Sequence, residues 1–136
     1  MTLSVGDSTC LSKTIREVDV TVYAAISLDA NPIHLDEEYA RQTPFGRRIA
    51  QGMLSAGLIS ACIGTRLPGP GSIYLSQDLR FRKPVYLDDT ITATVEVVAL
   101  EEKGRVRLRT TCTNQRGELV LDGEAVVLPP RAKDIA

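Results

Sequence analysis

Between residues 90 and 97 apolar side chains take every second position: Ile91, Ala93, Val95 and Val97 alternate with threonines and Glu96. That is the period of a strand with one buried face. The alternation slips by one at Val98 and Leu100, which predicts a bulge inside a strand over 90–102. Over 105–113, Arg105, Arg107 and Arg109 are set against Val106 and Leu108. Residues 114–117 read as a hairpin turn, 119–128 as the strand that closes the sheet, and Pro129-Pro130 as its end. Upstream, Ile73, Leu75, Leu79 and Phe81 alternate with Tyr74, Ser76, Asp78, Arg80 and Arg82. This predicts a strand over 73–86, bent or ended near Pro84, with a turn at Leu87-Asp88-Asp89.

The first half has a different rhythm. From Met53 to Thr65 there is no charged residue, and every helical face is apolar or small. This predicts the longest helix, over 50–66, buried on all sides. Gly52, Gly57 and Gly64 lower its helix propensity and are expected where another group comes close. Leu67-Pro68-Gly69-Pro70-Gly71 stops it. Residues 16–28 carry two periods. Val18, Val20 and Val22 alternate, but Val18, Val22 and Ile26 also share a helical face, and Tyr23-Ala24-Ala25 breaks the alternation. A helix that delivers Asp29 at its C-terminal end fits better. Residues 36–42 read as a short helix capped by Asp36, with Glu37 and Glu38 at its positive end. Thr43-Pro44-Phe45-Gly46 then turns the chain. A short strand is expected over 10–15 and a frayed tail from Arg131. The predicted architecture is α+β, a single domain over 1–136. Four long strands follow one another through hairpins and form an antiparallel sheet around one apolar helix.

Composition narrows the function. The chain has 136 residues, 43% apolar and 24% charged, with net charge −1. Its basic residues are scattered among acids, it has no tryptophan, and its aromatics are four tyrosines and two phenylalanines. Neither a nucleic-acid surface nor a base-stacking platform is expected. Three cysteines, Cys10, Cys62 and Cys112, form no C-x-x-C pair, and one histidine cannot complete a Cys/His zinc site. Reduced thiols in a cytoplasmic protein, with no metal, are expected. No apolar run is long enough to span a membrane, and the N-terminus has no signal-peptide pattern.

The chemistry concentrates in residues 27–36, SLDANPIHLD, which hold the only histidine, His34, and Asp29 five residues before it. Pro32 lacks an N–H and biases Asn31 toward extended backbone. The stretch therefore reads as a loop on which an acid and an imidazole converge. Asn31 either orients the acid or builds the turn. Arg47 and Arg48 either meet an anionic ligand or are solvated surface. Gly52, Ala56, Ser60 and Ile63, spaced four, four and three, share one face of the apolar helix. Ser60 either faces a ligand or bonds back to the preceding turn.

Asp29-Ala30-Asn31-Pro32-Ile33-His34-Leu35-Asp36 resembles the D-x-N-P-[ILV]-H-x-[DE] motif of the MaoC-like hydratases, the hydratase-2 branch of the hot-dog superfamily. The resemblance runs on through Gln51-Gly52-Met53-Leu54, the LPGPGSIYL of 67–75 and the FRKPVYLD of 81–88, and covers roughly residues 4–129. It is nearest to the single-domain (R)-specific enoyl-CoA hydratases that feed polyhydroxyalkanoate synthesis. Two positions depart: Leu28 stands where the family often has glycine, and Gln51 where it usually has histidine.

The resemblance implies a hot-dog fold and reversible hydration of trans-2-enoyl-CoA to (R)-3-hydroxyacyl-CoA. It implies Asp29 and His34 acting on one water, with no cofactor beyond the CoA of the substrate. The Gly52 N–H is expected to polarise the thioester carbonyl. Asn31, Ser60 and Ile63 are the expected substrate contacts, with Ser60 and Ile63 lining the acyl path. Arg47, Arg48, Arg66, Arg80, Arg82 and Lys83 are the pool for CoA phosphates. A homodimer is expected, and acyl carrier protein is the alternative carrier. Rival functions are a hot-dog thioesterase and a non-catalytic acyl-CoA-binding subunit.

Overall fold

The alternating C-terminal half builds the sheet. The computed structural model describes residues 2–131. Its strands are β1 (Ser8–Thr14), β2 (Ile73–Gln77), β3 (Arg80–Phe81), β4 (Thr90–Leu100), β5 (Val106–Thr113) and β6 (Leu119–Leu128). The order is β1-β4-β5-β6-β2, with β3 also on β6, and every pair is antiparallel. Along β4 the inward residues Ile91, Ala93, Val95 and Val97 are sealed, and the register shifts between Val97 and Ala99, where the pattern slips.

Two expectations for the sheet are corrected. Residues 73–86 are not one strand, and their strand does not pair with the next. They divide at Asp78-Leu79 into β2 and β3, and both lie on β6 at the far edge from β1. The division is specified on β6. A Cβ at Gly123 would fall 1.9 Å from the Asp78 carbonyl oxygen, so only glycine lets the two backbones approach. Past Arg82 the chain does not turn back. Val85 and Tyr86 instead pair with the segment before the long helix, the Ala50 N–H donating to the Val85 carbonyl at 2.7 Å and Ile49 bridging Tyr86, and the expected turn at Leu87-Asp88-Asp89 then leads into β4, with Asp88 and Asp89 bonded to Ile15. Hairpin logic fails where a segment finds its backbone partners in another loop. The alternation of β2 also buries neither face: Ile73, Tyr74 and Leu75 are all exposed.

Four helices precede β2: α1 (Glu17–Ser27), α2 (Pro32–Leu35), α3 (Glu37–Arg41) and α4 (Gly52–Thr65). The curved sheet wraps α4, as expected for the hot-dog fold. Leu54, Ile59, Cys62 and Ile63 meet Ile91, Ala93, Val95, Leu108, Cys112 and Leu121 in one core cluster. Burial pushes the Cys112 thiol up to about 12, and Cys10, Cys62 and Cys112 are all free thiols. The expectation that α4 is buried all round is corrected. Met53, Gly57, Ser60, Ala61 and Gly64 are exposed, and Met53, Gly57 and Ser60 face a cavity shared with β2. A Cβ at Gly57 or Gly64 would meet nothing, so of the helix's three glycines only Gly52 sits under a close neighbour. On α1 the residues that pack inward are Val20 and Ala24, while the Val18–Val22–Ile26 stripe faces out. The expected fraying beyond Arg131 lies outside the described residues.

Candidate active site

The acid and the imidazole are placed by consecutive caps. Leu28 ends α1 in the left-handed region, at φ 67°, and its N–H donates to the Ala24 carbonyl. Glycine reaches that conformation without the steric cost a leucine carries. The Ser27 hydroxyl donates to the Tyr23 carbonyl at 2.6 Å and accepts the Asp29 N–H at 3.1 Å. Asn31 then caps a new helix: its Oδ1 accepts the Ile33 N–H at 3.2 Å, and Pro32 takes the first helical position. Proline is at home there because its missing N–H would have had no intrahelical partner. The expected loop is therefore corrected: His34 stands on a one-turn helix, and Asn31 builds it. Asp36 caps α3 by accepting the Tyr39 N–H, as its place in the sequence predicts.

The His34 ring is fixed from its far side. Its Nδ1 lies 2.7 Å from the Ile49 carbonyl oxygen. A carbonyl only accepts, so Nδ1 carries the proton, and in neutral His34 the Nε2 lone pair is free. Nε2 lies 3.7 Å from Asp29 Oδ2. That separation is too long for a direct hydrogen bond and suits a shared water. The two groups differ in exposure: the His34 side chain is 9% exposed and that of Asp29 45%. Arg48 secures the backbone behind them. Its Nε donates to the His34 carbonyl at 2.7 Å, and its two terminal nitrogens reach Glu17 at 2.6 and 3.1 Å. Arg48 is thus neither ligand contact nor solvated surface.

His34 opens on a cavity of about 310 Å³ shared with Gly52, Ser55, Phe81, Arg82 and Lys83. Gly52 is the first residue of α4, where free N–H groups and the helix dipole favour negative charge. A Cβ there would lie 2.7 Å from the Phe81 ring, so the glycine lets the aromatic close over the helix start. A second cavity of about 420 Å³ lies further along α4, walled by Met53, Ala56, Ser60, Tyr74, Leu75 and Leu79.

The expected substrate face of α4 is therefore divided. Gly52 faces the first cavity and Ser60 the second, while Ile63 is 2% exposed, in the core, and lines neither. Asn31 and Asp29 also lie off both walls, and Asp29 meets the first cavity through its approach to His34. Of the expected phosphate contacts, Arg82 and Lys83 line the first cavity, held at 2.8 Å by Asp122 and Glu118 respectively. Lys83, with Asn114 and Arg116, holds the Glu118 carboxyl down at about 2. Arg47 stacks on Tyr86 at 4.1 Å, and Arg66 donates to the Cys10 carbonyl.

Sequence reasoning did not single out Ser55, placed Phe81 only in a strand, and read Arg48 as a ligand contact or solvated surface rather than as a brace for His34. Ser55 carried the same signal as Ser60, a hydroxyl in an apolar helix. No sequence signal marked the pairing of Arg48 with the His34 carbonyl.

Residues 7–118 match the family described as MaoC like domain. The chain is 55% identical over 126 residues to an (R)-specific enoyl-CoA hydratase of Rhodospirillum rubrum, covering 92% of this chain and 87% of that one. It is 51% identical over 133 residues to a 3-hydroxybutyryl-CoA dehydratase of Methylorubrum extorquens, covering 97% and 84%. The solved structure of the R-hydratase PhaJ1 from Pseudomonas aeruginosa, in its unliganded form, superposes with a TM-score of 0.92. It is 50% identical, and the match covers 95% of this chain and 83% of that one.

Proposed function

The chain belongs to the MaoC-like domain family, and on that footing we propose that it is an (R)-specific enoyl-CoA hydratase, adding water reversibly to trans-2-enoyl-CoA. The observation that carries the reading is the Asp29–His34 pair, 3.7 Å apart, beside the cavity that Gly52 shares.

A carboxylate and an Nε2 lone pair facing each other are two acceptors, and one water has two O–H groups to offer them. Held in this way, its oxygen attacks C3 of the enoyl chain while one proton passes to the pair. Electron density moves onto the thioester oxygen, which the Gly52 N–H stabilises at the start of α4. C2 then takes back the proton that water gave up, so the atoms balance.

Asn31 acts by building the turn that aims Asp29 and His34. Ser60 lines the acyl path along α4, and Ile63, buried in the core a turn further on, limits its length from behind that wall. Arg82 and Lys83 stand at the cavity for the phosphates of CoA or of the acyl carrier protein arm. Support for a homodimer comes from the exposed β2 edge and outer face of α4. Three free thiols fit a reducing, cytoplasmic setting, and among the described residues no helix is long and apolar enough to cross a membrane.

The test is incubation with crotonyl-CoA. Loss of the enoyl absorbance without free thiol, with (R)-3-hydroxybutyryl-CoA as product, is expected. Release of CoA thiol makes the protein a thioesterase, and an unchanged substrate makes it a binding subunit.

A further inference from the structure

Serines and threonines inside helices usually return their hydroxyl to the carbonyl one turn earlier. This chain shows the habit twice: Ser27 bonds to Tyr23 and Thr65 bonds to Ala61, at 2.6 and 2.7 Å. Ser55 breaks it. The residue is 2% exposed, and its Oγ is buried without any hydrogen-bond partner. The Ser55 backbone is engaged, its carbonyl lying 3.5 Å from the Cys112 thiol, so only the side chain is left over. A buried hydroxyl with no partner is destabilising, and such groups call for an explanation.

Its position supplies one. Ser55 lines the first cavity together with His34 and Gly52. It stands three residues after Gly52, on the neighbouring face of the same turn. Helical side chains lean toward the N-terminus, so the Ser55 hydroxyl leans toward the turn that presents the Gly52 N–H. Phe81 closes over that turn, and the cavity's other walls include the apolar Val85, Val120 and Leu121 as well as Arg82 and Lys83. A hydrogen-bonding group that enters there finds two donors, one from the backbone and one from a side chain.

We propose that Ser55 is a catalytic residue: its hydroxyl donates to the thioester oxygen of the bound enoyl substrate, sharing with the Gly52 N–H the charge that grows there as water adds. The proposal rests on the hydratase reading above. It explains why a polar side chain is kept unpaired in the free protein: the substrate oxygen completes it. It also predicts that the bond strengthens as the reaction proceeds, because the oxygen is more negative in the transition state than in the bound substrate.

Ser55→Ala tests this with three readouts. Removing an unpaired hydroxyl from a helix should leave the circular dichroism unchanged and raise Tm. A hydroxyl that supports the fold would instead make Tm fall, which overturns the proposal. With crotonyl-CoA, kcat should fall about 10²-fold, the lower end for loss of one oxyanion donor, with KM nearly unchanged. Wild-type kcat in the folded variant overturns the proposal as well. The third readout is independent of turnover. Butyryl-CoA carrying ¹³C at the thioester carbonyl is saturated and cannot be hydrated. Its carbonyl stretch, read by infrared difference, should lie lower on the wild type than on Ser55→Ala. Equal frequencies mean the hydroxyl never touches the carbonyl. A wild type inert toward crotonyl-CoA sinks the hydratase reading, while the infrared comparison still decides whether Ser55 meets a thioester.

Discussion

At the scale of the residue, Asp29 and His34 differ in what holds them. The His34 imidazole is held by the Ile49 carbonyl, and its backbone carbonyl accepts from the Arg48 guanidinium. Asp29 is steered by weaker, local bonds: Ser27 Oγ on its own N–H, and the Asn31 N–H on its carboxylate at 3.4 Å. His34→Ala and Asp29→Ala should each lower kcat for crotonyl-CoA by roughly 10²–10⁴. On the proposed mechanism one water serves both groups, so the double variant should lose little more than the worse single one. Steady-state kinetics on the three variants checks this, with circular dichroism to establish folding. Near-wild-type turnover from folded Asp29→Ala would remove it from the site. These two residues were legible in the sequence because the Asp-x-Asn-Pro-x-His spacing carries its own local geometry. Ser55 was not, since nothing local distinguishes a hydroxyl that bonds back to its helix from one left for a cavity.

At the scale of the element, α4 shows where a repeating pattern stops being informative. Steps of four along a helix with 3.6 residues per turn drift by about 40° each. The row Gly52–Ala56–Ser60 therefore winds from the first cavity to the second, and the shorter step to Ile63 brings the chain back toward the core. The rise from Gly52 to Ser60 is about 12 Å, near the length of a short to medium acyl chain, and Ile63, a further turn on, lies in the core. Truncating Ile63 to Ala should cost about 2–5 kcal/mol, as for other large-to-small core changes. It should also raise kcat/KM for C8 enoyl-CoA relative to C4, since each extra buried CH₂ is worth about 0.8 kcal/mol. Urea unfolding reads the first effect and the substrate ratio reads the second. A destabilised but folded variant with an unchanged ratio would place the end of the acyl path elsewhere. The strands show the same limit. The alternation in β4 to β6 predicts their buried faces because both neighbours lie in the sheet. The alternation in β2 does not, because among the described residues nothing seals either face at the sheet edge.

At the scale of the whole molecule, one of the apolar surfaces the fold leaves exposed lies where β2 meets α4, apart from the stripe on α1. β2 ends the sheet with a free edge, and Ile73, Tyr74 and Leu75 are exposed on it. Met53, Gly57, Ser60, Ala61 and Gly64 are exposed on the outer side of α4. The second cavity lies between the two, walled by Met53 from the helix and by Tyr74 and Leu75 from the strand. An unpaired strand edge attracts another strand, and a two-fold axis lets one patch satisfy its own copy. A second copy seated here would continue the sheet, cover the small-residue face of α4 and roof the cavity that holds Ser60. The protein should therefore sediment as a dimer at micromolar concentration. Gly64→Glu makes the prediction specific. A side chain at Gly64 meets nothing within the chain, so the variant should keep the monomer's fold while placing a charge where the partner's backbone must come close. Velocity sedimentation should show the variant as a monomer, and its kcat/KM for medium-chain enoyl-CoA should fall because the acyl path loses its roof. A wild type that sediments as a fully active monomer would show that the exposed face serves some other purpose.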